Sequence, residues 1–118
     1  MTQTLRLRPT AMEDAKSLFD WRQDATFRRA LADDGPIDLE GHLTWLERSL
    51  ARLDRVLLIG EATRTDEAVG LVRYDETAPG AWRGRFAVAP PFRGRGWSLK
   101  LKAAMAAHMP DAAGAGPS

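Results

Sequence analysis

The chain has 118 residues, 44% of them hydrophobic and 28% charged, which fits one domain with its own core and a solvated surface. A formal net charge of +1 gives no general reason to expect nucleic acid or an anionic membrane as a partner. The absence of cysteine excludes disulfides, thiolate metal sites and a cysteine nucleophile, and two histidines are too few for a metal cluster. Without an apolar signal-peptide core or a membrane-spanning run, a soluble cytoplasmic protein is expected.

The N-terminal part predicts one strand followed by two short helices. Apolar and basic residues alternate over 5–8, which is typical of a half-buried strand, and Pro9 closes it. Thr10 and Glu13 have the spacing of a capping box, which predicts a helix start. A second short helix over 24–32 is expected to end where the sequence turns to Asp-Asp-Gly-Pro.

The middle of the chain predicts a longer helix and then three hairpin strands. Asp38 is a plausible cap for a helix in which leucines recur at helical spacing. The following segments 55–62, 67–74 and 82–89 are short, apolar and separated by polar turns, as in an antiparallel meander. The predicted fold class is therefore α+β, with a mixed, mainly antiparallel sheet flanked by helices.

The last predicted elements are a glycine loop and a helix. Pro90 and Pro91 end the third hairpin strand, two glycines follow, and residues 97–109 have a helical pattern. The predicted domain therefore covers 1–109, and the small, Gly- and Ala-rich segment 110–118 is expected to be a flexible tail.

The glycine loop predicts an anion site. The first amides of a helix lack internal partners, and the helix dipole adds positive potential at that end. Gly94 and Gly96 allow close approach of a ligand to the backbone, and Arg93 and Arg95 can add charge-assisted bonds. The predicted ligand carries adjacent phosphates; the competing interpretation is a turn with solvated arginines. The segment is not a Walker loop, because the Gly-Lys-Ser ending is absent.

The loop also carries a family resemblance. Residues 93–98 read RGRGWS and closely resemble the GNAT acetyltransferase signature Arg/Gln-x-x-Gly-x-Gly/Ala, preceded by the family's typical Val-Ala-Pro; Ser98 departs from the final Gly/Ala but is small. The resemblance implies acetyl-CoA as cofactor, with its pyrophosphate on the loop amides and its pantetheine paired with the strand before the loop. The implied cofactor-binding residues are Phe86, Ala87, Val88, Arg93, Gly94, Arg95, Gly96, Trp97 and Ser98.

Two N-terminal segments resemble a particular group within that family. Residues 19–24 and 37–46 are similar to its Trp-Arg and Glu-x-His-x-x-Trp segments. That group includes enzymes acetylating nucleotide-linked amino sugars and the ribosomal-protein acetyltransferases. The resemblance implies that Trp21, Arg22 and Trp45 line the acceptor site, with Arg22 on a phosphate and a tryptophan on a base. Ordinary core and rim packing is the alternative for these residues.

The general base is left open. Many relatives place a glutamate on the strand before the loop, but residues 82–86 contain none. Glu76 is among the nearest carboxylates, beside Asp75, and His42 has a suitable intrinsic pKa, although a histidine on a helix is more often structural. The resemblance implies acetyl transfer to a primary amine, with a nucleotide-linked amino sugar as the suggested acceptor and a protein N-terminus or a small amine as the alternative. A catalytically silent acyl-CoA-binding or interaction module is the alternative from another class.

The chain also departs from the family beyond the loop helix. Members continue with a further strand, a helix and a final strand or hairpin, whereas this chain ends in Ala-Gly-Pro-Ser-type sequence. We therefore expect an incomplete C-terminal part and an unpaired edge on the strand that contains Phe86. Such an edge invites homodimerisation.

Overall fold

Four strands form one antiparallel sheet whose spatial order follows the chain. The computed structural model describes residues 4–110. The strands are β1 (Leu5–Pro9), β2 (Arg55–Ala62), β3 (Ala68–Ala78) and β4 (Ala81–Val88), in the order β1-β2-β3-β4. The α+β class and the antiparallel meander predicted from the sequence are confirmed.

Three helices separate β1 from β2 in the chain, and a fourth follows β4. They are α1 (Ala15–Arg22), α2 (Ala25–Ala30), α3 (Leu39–Ala51) and α4 (Trp97–Ala107), with short 3-10 turns at Met12–Asp14 and Pro90–Phe92. None of the helices in the described part of the chain has the length and apolar content that crossing a bilayer requires.

The sheet has a core on each face. On one face the apolar side chains of α1, α2 and α3, such as Leu18, Phe27 and Leu46, pack on alternate strand residues. On the other face α4 inserts Leu101, which is fully buried with Val72 and Tyr74. Successive strand residues point to opposite faces, so this alternation decides which strand side chains lie beside the first three helices.

The start of the first helical segment differs from the predicted capping box. Thr10 is buried and continues the strand pairing, its amide donating to the Leu57 carbonyl at 3.1 Å. The cap belongs one residue later, where the Asp14 carboxylate accepts from the Ala11 amide at 2.9 Å. Glu13 therefore does not form the predicted box, because the chain leaves the sheet after Thr10 and not before it.

Helix caps at two aspartates fix the remaining N-terminal helices. Asp38 caps α3 as predicted, accepting from the Gly41 amide at 3.1 Å, and Asp24 caps α2 by accepting from Phe27 at 2.8 Å. The helices predicted over 24–32 and 97–109 are shorter in the structure. Apart from Pro110, the tail predicted over 110–118 lies outside the described residues.

β3 is longer than the strand predicted over 67–74. It continues through Asp75, whose carboxylate accepts from the Arg55 and Arg73 guanidinium Nε atoms at 2.8 and 2.6 Å. Burial alone would raise the pKa of Asp75, but these two hydrogen bonds outweigh it and the pKa is lowered. A carboxylate that usually ends a strand is thereby accommodated within the sheet.

Candidate functional site

An open cleft of about 430 Å³ lies between α2, β4 and the loop that leads into α4. It brings together eight of the nine residues predicted to hold the cofactor, all except Arg95. Three further lining residues come from α2 and were not foreseen. The lining residues are Thr26, Phe27, Ala30, Phe86, Ala87, Val88, Phe92, Arg93, Gly94, Gly96, Trp97 and Ser98.

The amide end of α4 faces this cleft without a side-chain cap. Gly96 is the N-cap residue, so it has no side-chain oxygen to offer to the first amides of the helix. Gly94 and Gly96 have φ values of +76° and +86°, a region that favours glycine, and a Cβ at either position would meet no atom within 4 Å. Orphan amides, the helix dipole and open space together make a site that fits a phosphate.

The outer edge of β4 forms another wall of the cleft. In the described part of the chain β4 pairs only with β3, so one row of its backbone groups has no strand neighbour. The Ala89 amide donates inward to the Val69 carbonyl at 2.7 Å. Because backbone groups alternate in direction along a strand, the N–H groups of Val88 and Phe86 point outward. They are available to an extended ligand.

Arg93 links the loop to α2. Its guanidinium donates to both carboxylate oxygens of Asp24, at 2.7 and 3.2 Å. The hydrogen bond from Arg93, followed by that from the Phe27 amide, lowers the pKa of Asp24 to about 2. Arg93 therefore stands beside the cleft with an ion-pair partner already in place.

Arg95 lies on the far side of the loop. Its guanidinium carbon is 5.5 Å from the centre of the Phe92 ring, and it lines a smaller neighbouring cleft of about 220 Å³ that includes Glu67 and Trp97. Arg93 and Arg95 therefore line different clefts, although the sequence predicted that both would bind the phosphates of one ligand.

Of the residues predicted to hold the acceptor, Arg22 lies in a buried network, Trp21 is buried in the apolar core, and Trp45 is half-buried at the wall of a separate open cleft. Arg22 is fully buried and donates to both oxygens of Asp33, from Nε at 2.6 Å and from Nη2 at 3.1 Å. Its guanidinium lies 3.8 Å from the centre of the Trp45 ring, and Trp21 is 6% exposed. These contacts fit the alternative of ordinary core and rim packing, with Trp45 at the rim. The structure does not bring Trp21, Arg22 or Trp45 to the cleft.

His42 belongs to the same network. Its Nδ1 accepts from Arg22 Nη1 at 2.8 Å and its Nε2 donates to the Ala15 carbonyl at 2.8 Å, so both ring nitrogens are engaged and the ring is neutral. Burial, the largest effect, lowers the pKa of His42, and the Arg22 charge lowers it further against the raising effect of the Ala15 carbonyl. A fully buried imidazole has no route to a substrate amine.

Stability should fall as His42 is driven to protonate. The folded pKa lies below the unfolded value of about 6.5, so the contribution of His42 is complete above that pH and is lost as pH falls toward the folded value. As pH falls below about 6.5, the free energy of unfolding should drop by up to about 1.4 kcal/mol per pH unit until the folded pKa is reached. Urea titrations over this range measure the slope. His42→Gln should flatten it; an unchanged slope in His42→Gln would contradict the assignment.

Glu76, the other candidate base, occupies the β3–β4 hairpin. Its carboxylate accepts from the Gly80 amide at 2.8 Å, and its strand partner is Trp82, which packs on the α4 side of the sheet. Phe86 is four residues further along β4, about 13 Å from Trp82. No carboxylate or imidazole is among the described lining residues of the cleft.

The family assignment follows from a sequence match. The family model described as an acetyltransferase (GNAT) domain matches residues 4–116. The chain belongs to the GNAT acetyltransferase family. No curated protein matches the sequence significantly.

Solved GNAT structures share the fold at low sequence identity. A spermidine N-acetyltransferase from Vibrio cholerae in complex with CoA and spermine superposes with a TM-score of 0.72 at 14% identity, covering 84% of this chain and 59% of that one. An aminoglycoside acetyltransferase in complex with coenzyme A gives 0.69 at 19% identity, covering 88% and 66%. An acetyltransferase from Thermus thermophilus gives 0.65 at 19% identity, covering 92% and 71%. This GNAT chain thus spans about three fifths of the length of the spermidine enzyme.

Proposed function

We propose that this protein is an acetyl-CoA-dependent N-acetyltransferase acting on a primary amine. The observation that carries the proposal is the meeting of the uncapped α4 N-terminus and the free β4 edge in one cleft. A phosphate-bearing ligand with an extended amide-containing arm needs both features, and acetyl-CoA has that shape. Membership of the GNAT family and two neighbours whose structures contain CoA support the same cofactor.

The residues of the cleft divide between the parts of the cofactor. The amides from Gly94 to Ser98 would bind the pyrophosphate, and the outward N–H and C=O of Val88 with the outward C=O of Phe86 would pair with pantetheine. Phe27 and Ala30 of α2 would cover the arm from the opposite wall. Arg93 would add charge beside the pyrophosphate while remaining bonded to Asp24.

Catalysis would depend on positioning and on one backbone donor. Bound acetyl-CoA would supply an acetyl thioester, whose C–S bond would break as the amine nitrogen forms the new C–N bond, and the departing thiolate would take up a proton. We assign the outward N–H of Phe86, which lies nearer the reactive end of the arm than that of Val88, to stabilise the negative charge that develops on the acetyl oxygen. The amine proton passes to water, because the described lining residues include no carboxylate or imidazole. Alignment of two bound reactants supplies the remaining acceleration.

The acceptor is an amine in each form of this proposal. A nucleotide-linked amino sugar follows from the N-terminal resemblance, and a protein N-terminus or a small amine is the alternative. The neighbours named for spermidine and for aminoglycosides support small-molecule amines. A catalytically silent acyl-CoA-binding module is the second candidate function, favoured because the cleft residues within 4–110 include no acid–base side chain. A homodimer paired through β4 would occupy the edge that pantetheine needs.

Calorimetric titration with acetyl-CoA tests the proposal, with desulfo-CoA and ATP as controls. One saturable site per chain for both CoA forms, with weaker binding of ATP, is expected. Light scattering at each titration point reports whether dimers dissociate as CoA binds. Thiol release on adding an amine then separates an enzyme from a silent binding module. Absence of CoA binding to folded, monodisperse protein would overturn the cofactor assignment.

Removing the Asp24 charge should strengthen cofactor binding. Asn caps helices as well as Asp does, so Asp24→Asn keeps the α2 cap while it frees Arg93 and removes a negative charge beside the phosphates. The exposed ion pair limits the effect to about two- to fivefold in Kd. Arg93→Met should change Kd in the opposite direction. Calorimetry at low salt measures both, and weaker binding in Asp24→Asn would show that the ion pair itself shapes the site.

A further inference from the structure

Four arginines cluster at the end of the sheet that lies beyond the cleft. Arg73 pairs directly with Arg85 across β3 and β4, and in the next row Asp75 lies between Arg55 and Arg83. Directly paired residues share a face, as do residues two apart along a strand. All five side chains therefore lie on the face that carries α1, α2 and α3.

The charges in this cluster do not balance. Asp75 is the carboxylate shared by Arg55 and Arg73, whose side chains are 11% and 12% exposed. Arg83 is exposed, Arg85 is half-buried, and neither has an ion pair within residues 4–110. The nearby Asp33 is already bound by Arg22. Four guanidiniums against one available carboxylate leave a surplus of three positive charges.

The cluster continues the line of the proposed cofactor arm. α2 packs on β4 on this same face, and the cleft follows β4 from Val88 to Phe86. Arg83 lies three residues further along the strand, about 10 Å beyond Phe86. An arm that starts at the α4 N-terminus and runs along β4 brings its reactive end toward Arg85 and Arg83. The acceptor amine must approach from that side.

We propose that Arg83 and Arg85 select an acceptor that carries a phosphate group in addition to its primary amine. The surplus charge suits a doubly negative phosphate better than a single carboxylate, and two neighbouring guanidiniums can share its oxygens. Polyamines such as spermidine are repelled by the same charges. This assignment rests on the proposed function. The sequence predicted that Arg22 would bind a phosphate, but Arg22 is buried, whereas Arg83 and Arg85 have free donors within residues 4–110.

The experiment compares two amines that differ by one phosphate. Glucosamine 6-phosphate and glucosamine are titrated separately into protein saturated with CoA, so that no acetyl transfer takes place. Glucosamine 6-phosphate should bind at least about tenfold more tightly, and the difference should shrink with added salt. Spermidine should bind more weakly than either. Aspartate serves as the carboxylate probe and should also bind more weakly than glucosamine 6-phosphate.

Matched variants locate the effect. Arg83→Gln with Arg85→Gln should reduce the preference for the phosphate to less than about threefold, and CoA affinity should stay within about twofold of the parent. Lys102→Gln removes an exposed charge from α4 on the opposite face and should leave the preference intact. The urea midpoint of each variant shows that the fold is kept.

The results separate the two levels of the proposal. Equal affinity for the two amines, undetectable binding of both, tighter binding of spermidine, or a preference that survives in the double variant would each overturn the arginine assignment. These outcomes are read on protein whose CoA binding has been measured first. Failure of that first titration would instead overturn the proposed function.

Discussion

Replacing Asp33 with alanine should lower the free energy of unfolding by about 3–5 kcal/mol, because it leaves the Arg22 guanidinium buried without its carboxylate. The two side chains are only 1% and 2% exposed, so water cannot replace the lost hydrogen bonds. Burial alone would raise the pKa of Asp33, but bonds from Arg22 and the Gly35 amide outweigh it and hold the pKa below its usual value. The carboxylate is therefore charged in the folded protein.

Urea unfolding followed by tryptophan fluorescence measures this loss. Asp34→Ala is the matched control, since Asp34 is the exposed neighbour and its removal should cost less than about 0.5 kcal/mol. If Asp33→Ala does not fold, the double variant Arg22→Met with Asp33→Leu removes both charges and should recover most of the stability. A loss below about 1 kcal/mol in Asp33→Ala would contradict the buried-pair account.

Gly96→Ala should weaken acetyl-CoA binding by a factor of about 30 or more. The added methyl projects into open space where the phosphates are expected, and the positive φ becomes strained for a residue with a Cβ. Displacing one phosphate from the α4 amides forfeits charge-assisted hydrogen bonds worth about 2 kcal/mol, which corresponds to that factor. Calorimetry with acetyl-CoA measures the change.

Gly80→Ala separates this effect from backbone strain. Gly80 has a φ of +75° in the β3–β4 hairpin, so alanine there has a similar conformational cost of about 1–2 kcal/mol. Gly80 is not among the residues that line the cleft, and its substitution should leave the acetyl-CoA affinity unchanged. If both variants bind acetyl-CoA as the parent does, the α4 N-terminus is not the phosphate site.

Local patterns in the sequence were sufficient for most of the framework. The segment predicted as 55–62 matches β2, and the Asp38 cap is confirmed, because alternation and capping depend on residues close in the chain. The strand predicted over 67–74 ended early, since a charged residue normally marks a strand end. Asp75 is held by Arg55, twenty residues away, and no local pattern contains that contact.

The candidate site was predictable where the backbone forms it and much less so where side chains meet across the fold. The glycines and the helix start identified the loop, but Asp24 reaches Arg93 across 69 positions of sequence. Helical spacing places Arg22 and His42 next to the apolar faces of α1 and α3, a position that is typical of half-exposed polar side chains. Their burial depends on Asp33, which lies in the connection between α2 and α3.

The insertion of three helices between β1 and β2 has a consequence for the order of folding. β1 pairs with β2 across about fifty residues, whereas β2, β3, β4 and α4 are joined by short connections, so the loop-closure entropy is concentrated in one step. We expect the meander with α4 to form early and the helical segment with Arg22 and Asp33 to dock late. Asp33→Ala should then act mainly by accelerating unfolding, with little change in the refolding rate. The elements that carry the cofactor loop would already be in place when the helices close over them.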